Sequence, residues 1–249
     1  MLDIVASTIT FPQNHSIASF AKRVLSEFVS FPCPACLKTM PDDCSGLCSE
    51  CLDRLPLVKN PACRGCGAEN DGIFEVCGKC LKEEKRKWRK AVALMRIEDY
   101  GRELIHRFKY KNDTALARPF GTIAAELLKK SRIKPDFIVP VPLHWTRSLT
   151  RGYNQSQILC QIISGETGIP TRTIMKRIKR TPKQANLSGI QRRKNLERAF
   201  SVTDGEICRN SVILIVDDVL TTGSTLTAAS SALLGYGAKE INILILARG

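Results

Sequence analysis

The sequence predicts a parallel, doubly wound α/β sheet preceded by a small cysteine-rich metal-binding segment, on three observations. From residue 91 to the end, short apolar runs alternate with segments of helical spacing, as in strands joined by crossover helices. One of these runs, Val212 to Val216, is aliphatic throughout with no polar alternation, which is how a strand covered on both faces reads. Eight of the 11 cysteines fall into four C-x-x-C pairs, the spacing of thiolate metal ligands.

The elements follow in chain order. Within residues 1–32, Ile17, Phe20, Ala21, Val24, Leu25 and Phe28 recur at helical spacing and predict one amphipathic helix that docks on the rest of the protein. Residues 33–81 hold the pairs Cys33/Cys36, Cys48/Cys51, Cys63/Cys66 and Cys77/Cys80. Two such turns complete a tetrahedral four-thiolate site, so the segment reads as a double zinc ribbon with two structural Zn²⁺ ions. Sequential pairing is the simplest; sequence alone leaves an interleaved pairing open, and a redox or iron–sulfur use of the pairs is the alternative chemistry. Cys44, Cys160 and Cys208 stand outside the pattern.

Residues 82–90, K-E-E-K-R-K-W-R-K from Lys82, form a charged connector. It reads as a linker, with Trp88 among basic neighbours as a candidate for nucleic-acid stacking. In residues 91–249 the expected strands are Ala91 to Ile97, Phe137 to Val141, Ile174 to Ile178, Ala199 to Val202, Val212 to Val216 and Ile241 to Leu246. The expected helices are Gly101 to Tyr110, Leu116 to Lys130, Asn154 to Thr167 (stopped by Gly168-Ile169-Pro170) and Leu226 to Leu234.

The chemistry concentrates after Val216, in the string V-I-L-I-V-D-D-V-L-T-T-G-S-T from Val212 to Thr225. Asp217 and Asp218 at a carboxyl strand end repel one another unless a ligand or metal uses them. The turn Thr221-Thr222-Gly223-Ser224-Thr225 opens a helix, where unpaired amides and the helix dipole favour an anion. Neither a Walker lysine nor a G-x-G-x-x-G pattern accompanies it. A strand, a carboxylate pair and an anion-binding turn together suit a phosphorylated sugar.

This string resembles the phosphoribosyl-pyrophosphate (PRPP) motif of type I phosphoribosyltransferases. Two further stretches resemble the ComF branch of that fold: P-V-P-L-H-W-T-R-S-L-T-R-G-Y-N-Q at residues 140–155 and R-T-P-K-Q-A-N-L-S-G-I-Q-R-R-K-N-L-E-R-A-F at residues 180–200. The resemblance implies a type I phosphoribosyltransferase-like sheet behind an N-terminal zinc-ribbon domain. It implies that Asp217 and Asp218 hold the ribose hydroxyls with Mg²⁺, and that Thr221, Thr222, Gly223, Ser224 and Thr225 cradle the 5-phosphate. Arg147 and Arg151 would grip the diphosphate, with His144 a structural neighbour. Lys183, Gln184, Arg192, Arg193 and Asn195 would lie in a loop that closes the site. The family role implied is natural competence, the handling of incoming single-stranded DNA beside a helicase-like motor. The alternative is an active phosphoribosyltransferase working on an unidentified acceptor base or amine.

Composition bounds these readings. The 249 residues are 43% hydrophobic, enough for one α/β domain and a small appendage. Thirty-eight Lys and Arg against 24 Asp and Glu give a net charge of +14, which calls for a polyanionic partner or phosphorylated ligands. No apolar run approaches the roughly 20 residues of a membrane span, and no secretory signal is evident, so a cytoplasmic location is expected.

Overall fold

The computed structural model describes residues 32–40, 46–82, 86–143, 152–178 and 199–249. The N-terminal amphipathic helix, Cys44 and the basic stretch 179–198 lie outside the described residues. The cysteine segment contributes two short helices, α1 (Ser49–Asp53) and α2 (Gly78–Lys82). There follow β1 (Lys90–Arg96), α3 (Asp99–Tyr110), α4 (Ala117–Lys130), β2 (Phe137–Pro140) and α5 (Gln155–Thr167). The chain ends with β3 (Met175–Arg177), β4 (Phe200–Val202), β5 (Val212–Leu220), α6 (Ser224–Gly235) and β6 (Glu240–Arg248).

Four strands form one parallel sheet in the order β1-β6-β5-β2. Successive side chains of a strand face opposite ways, and the alternation divides the interior into two cores. Leu214, Val216, Leu244, Leu246 and Ile138 face the first. There they meet Leu104 and Phe108 of α3, Phe120, Ala124 and Leu128 of α4, and Leu159 and Ile163 of α5. The four-residue steps of Phe120, Ala124 and Leu128 are one face of a helix. Ile213, Ile215, Ile243, Ile245 and Val139 face the second core, against Leu226, Ala229 and Leu233 of α6.

Two expectations are corrected. β3 and β4 pair antiparallel in a sheet of their own, Met175 opposite Val202 and Arg177 opposite Phe200, rather than joining the parallel sheet. An antiparallel pair needs no crossover helix, and none was readable between them. β5 also runs past Val216 to Leu220, because β6 continues beside it and supplies Ile245, Ala247 and Arg248 as partners for Asp217, Val219 and Leu220. β2 stops at Pro140, opposite Val216. The acidic pair therefore sits where β5 has a neighbour on one side only.

The cysteine segment lies along β1, the strand at one edge of the sheet. Val58 donates to the Leu94 carbonyl (3.0 Å), Arg96 to that of Pro56 (2.9 Å) and Ala91 to that of Arg64 (2.8 Å). Edge amides and carbonyls left open would invite another chain. Cys33 and Cys51 enter the first core, and Cys63 and Cys66 the second, so the two halves of the segment straddle the sheet.

Candidate functional site

The eight paired cysteines gather into two groups, Cys33, Cys36, Cys48 and Cys51, and Cys63, Cys66, Cys77 and Cys80, with the sulfurs of each group within 4.8 Å of one another. Pairing is sequential, not interleaved. The two groups are built alike. Each begins with a knuckle, closed by Leu37 N–H on the Cys33 carbonyl and by Gly67 N–H on the Cys63 carbonyl, both at 2.8 Å. The fifth residue of each knuckle, Leu37 or Gly67, has positive φ (63° and 72°). The second pair of each group opens a helix, Cys48 before α1 and Cys77 before α2. Its first amide returns to the knuckle: Cys48 N–H to Cys33 Sγ at 3.4 Å, and Cys77 N–H to Cys63 Sγ at 3.1 Å. Four sulfurs at tetrahedral-edge separations, with amides aimed at them, fit a structural Zn²⁺. Among the described residues each group consists of four cysteines.

At the carboxyl end of the sheet, Asp217 is half-buried; its Oδ1 accepts from Ser156 Oγ (3.3 Å) and from the Asp218 amide (2.9 Å). Burial, and next the charge of Asp218, push the Asp217 carboxyl up to about 7, against the opposing pull of the Asp218 amide, Lys109 and Ser156. Lys109, in the last turn of α3, places Nζ 2.9 Å from Asp218 Oδ1, with both side chains mostly buried. Sequence reasoning missed Lys109, which reads as one more polar position on an amphipathic helix. Cys160 is buried, and its burial first, then the charge of Asp217, push the thiol well up.

The start of α5 is fixed to the same region. Asn154 caps the helix by accepting from Ser156 N–H (3.1 Å) and donates Nδ2 to the Val141 carbonyl (3.1 Å). Tyr153 donates its hydroxyl to the Phe108 carbonyl, and Gln155 donates Nε2 to that of Lys109 (3.3 Å). Tyr153, Asn154 and Gln155 thus tie α5 to the end of α3 and to Val141, and bring Ser156 and Lys109 to the acidic pair.

The turn Thr221 to Thr225 follows directly. Thr221 and Thr222 are exposed, and Gly223 stands at φ +79° before the first residue of α6. The Thr222 and Ser224 hydroxyls lie 3.0 Å apart, and Thr227 N–H closes the first helical turn on the Gly223 carbonyl at 2.8 Å. A helix of 12 residues leaves its first amides without intrahelical acceptors, pointing out of the N-terminus. Asp217 and Asp218, met by Ser156 and Lys109, thus stand on the strand end that leads directly into Thr221 to Thr225. Arg147, Arg151, Lys183 and His144 lie outside the described residues.

Residues 109–249 match the phosphoribosyl transferase domain family. Over nearly its whole length the chain is similar to competence protein F of Haemophilus influenzae, with 38% identity across 90% of this chain and 100% of that protein. DNA utilization protein YhgH of Escherichia coli (strain K12) is 33% identical across 82% of this chain and 90% of its own. Competence protein ComFC of Bacillus subtilis (strain 168) is 25% identical across 77% and 79%. A phosphoribosyl transferase domain behind two four-cysteine clusters, with likeness along 79 to 100% of the length of these relatives, places the chain in the ComF family of phosphoribosyltransferase-fold proteins.

Proposed function

We propose that the protein binds PRPP with Mg²⁺ at the carboxyl end of β5 and serves the handling of incoming single-stranded DNA in natural competence. The observation that carries the first half is the continuity of the acidic pair with the turn Thr221 to Thr225, on a strand whose other edge is unpaired just there. The turn's amides and hydroxyls would take the 5-phosphate. Asp217 and Asp218 would accept from the two ribose hydroxyls and offer carboxylate oxygens to Mg²⁺, which would supply charge neutralisation to the diphosphate. Arg147 and Arg151 would meet the diphosphate as guanidinium forks, and Lys183 would approach from the closing loop. Titrating PRPP with Mg²⁺ into the wild type and into an Asp217→Asn/Asp218→Asn double variant tests the assignment. Heat of binding that survives both changes would remove the acidic pair from the site.

In the alternative reading, the same site transfers the phosphoribosyl group to an acceptor base or amine. The bond from the anomeric carbon to diphosphate would break as the acceptor nitrogen bonds to that carbon and gives up a proton. Such a step passes through a cationic sugar and needs charge stabilisation of the leaving group more than a strong base, consistent with a site of carboxylates, cations and hydroxyls. Exchange of labelled pyrophosphate into PRPP across a panel of nucleobases tests turnover.

The DNA half rests on the relatives named competence protein and DNA utilization protein, and on one surface. At the amino ends of the strands, opposite the sugar-phosphate site, lies a cleft of about 550 Å³ lined by Arg64, Arg89, Lys90, Arg132, Lys134 and Lys239 against Glu75 and Glu240. Arg64 and Arg89 pair with those two glutamates, while Arg132, Lys134 and Lys239 are exposed. A net positive cleft suits a phosphodiester backbone. No helix among the described residues is long and apolar enough to cross a membrane, and cytoplasmic action beside a helicase-like motor belongs to this same proposal.

A further inference from the structure

The backbone of the phosphate turn is held from behind by side chains that reach the second cysteine cluster. Arg248 Nη1 donates to the carbonyls of Leu220 (3.0 Å) and Thr221 (3.2 Å), and Arg86 Nη1 to that of Thr222 (3.0 Å). In a planar trans peptide the carbonyl of one residue and the N–H of the next point in opposite directions. Drawing the carbonyls of Leu220, Thr221 and Thr222 toward the arginines therefore aims the amides of Thr221, Thr222 and Gly223 away from them, toward the face where an anion would sit.

Arg248 reaches the cluster itself, and Arg86 reaches it through Trp88. Trp88, buried in the second core, donates Nε1 to the carbonyl of Gly65 at 2.8 Å, inside the Cys63–Cys66 knuckle. Its ring lies under Arg86, 5.4 Å from that guanidinium, and 3.2 Å from where a Cβ on Gly223 would stand. The Arg248 guanidinium sits against the Cys66 thiol. A prospective zinc ligand is thus one side chain away from the phosphate turn. The first cluster packs into the other core, on the far face of the sheet.

We propose that Arg248 and Trp88 are positioning residues that couple metal occupancy of the second cluster to phosphate binding at the turn, while the first cluster is uncoupled. The proposal rests on the sugar-phosphate reading. An ion bound by Cys63, Cys66, Cys77 and Cys80 ties Cys66 and the Gly65 carbonyl to three other sulfurs. Arg248 and Trp88 then have fixed anchors: Arg248 holds the carbonyls of Leu220 and Thr221, and the Trp88 ring carries Arg86, which holds that of Thr222. Without the ion the knuckle is held to the start of α2 less firmly, by hydrogen bonds such as that of the Cys77 amide, and the amides of the turn lose their common direction. Linkage makes the effect reciprocal: phosphate at the turn must retain metal in that cluster.

The test uses the full zinc-loaded chain with ribose 5-phosphate as probe. Zinc release to a chromogenic chelator is followed with and without the probe, and probe affinity is measured by calorimetry. The expected result is two release phases, of which the probe slows one about tenfold and leaves the other unchanged. Arg248→Gln, or Trp88→Phe, which keeps the ring packing but loses the N–H donor, should retain two zinc ions per chain. Each should bind the probe about tenfold more weakly and lose the protection. A merely structural role would lower the melting temperature without moving the zinc-release ratio. Probe binding in the wild type with both phases unchanged overturns the coupling and leaves the sugar-phosphate reading intact. Absence of binding of both ribose 5-phosphate and PRPP to the wild type overturns that reading and the coupling with it.

Discussion

Lys109 Nζ lies 2.9 Å from Asp218 Oδ1, joining the last turn of α3 to the part of β5 that β2 does not reach. The contact places one cation beside two adjacent carboxylates. Replacing Lys109 with Met leaves that pair without its neighbouring cation. The expected loss in stability is about 2 kcal/mol, as for a charged hydrogen bond removed from a mostly buried place. PRPP·Mg²⁺ binding at pH 7 should weaken, since a larger share of Asp217 would be protonated. Adding Asp218→Asn to Lys109→Met should recover part of the stability, and a urea-denaturation double-mutant cycle reads the coupling between the two.

The raised Asp217 carboxyl gives a signed pH dependence. Its ordinary value is 3.8, and burial with the Asp218 charge takes it to about 7 in the folded protein. Between these values the folded chain holds a proton that the unfolded chain has released. The contribution of Asp217 to stability is therefore most favourable below about pH 4, falls as pH rises toward 7, and is level above that. A ligand that requires the carboxylate must expel this proton below pH 7. PRPP·Mg²⁺ affinity should rise by up to tenfold per pH unit approaching 7 and then flatten. Calorimetry from pH 5 to 8 checks the curve, and Asp217→Asn should flatten it throughout.

The sequential pairing of cysteines predicts how metal is lost. The wild type should hold two zinc ions per chain. Cys36→Ser with Cys48→Ser removes half the ligands of one group and none of the other. That variant should keep one zinc ion, measured by elemental analysis after dialysis. Loss of both ions would contradict independent clusters.

Local patterns were legible in the sequence, and contacts between distant segments were not. The run Val212 to Val216, the turn Thr221 to Thr225 and the cysteine pairs are each set by neighbours in sequence, so the strand, the helix start and the knuckles stand where spacing puts them. β5 outran its apolar run because strand length is decided by the partner: β6 continues alongside, so the acidic pair stays in the ladder despite its charge. Lys109 was invisible because only the crossing of α3 over the end of the sheet gives it a carboxylate. Trp88, set among basic residues, offered itself as a stacking platform, yet it is buried with its N–H on Gly65. Its flanking charges point outward while the ring points in, a distinction that a stretch with no clear period does not encode.

The cleft at the amino ends of the strands predicts how nucleic acid would be felt. Arg132, Lys134 and Lys239 are exposed there and, among the described residues, are in no ion pair such as those of Arg64 and Arg89. If a single strand follows this cleft, log affinity should fall linearly with log salt, with a slope of about 0.7 per phosphate contact. Changing Arg132, Lys134 and Lys239 together to Glu should reduce that slope by about 2 and weaken binding equally across sequences, because backbone contacts carry no base information. PRPP affinity should not change, since the cleft and the acidic pair lie at opposite ends of the same strands. Fluorescence anisotropy of a labelled oligonucleotide between 50 and 300 mM salt makes the measurement. An unaltered slope in the triple variant would move the DNA path off this face.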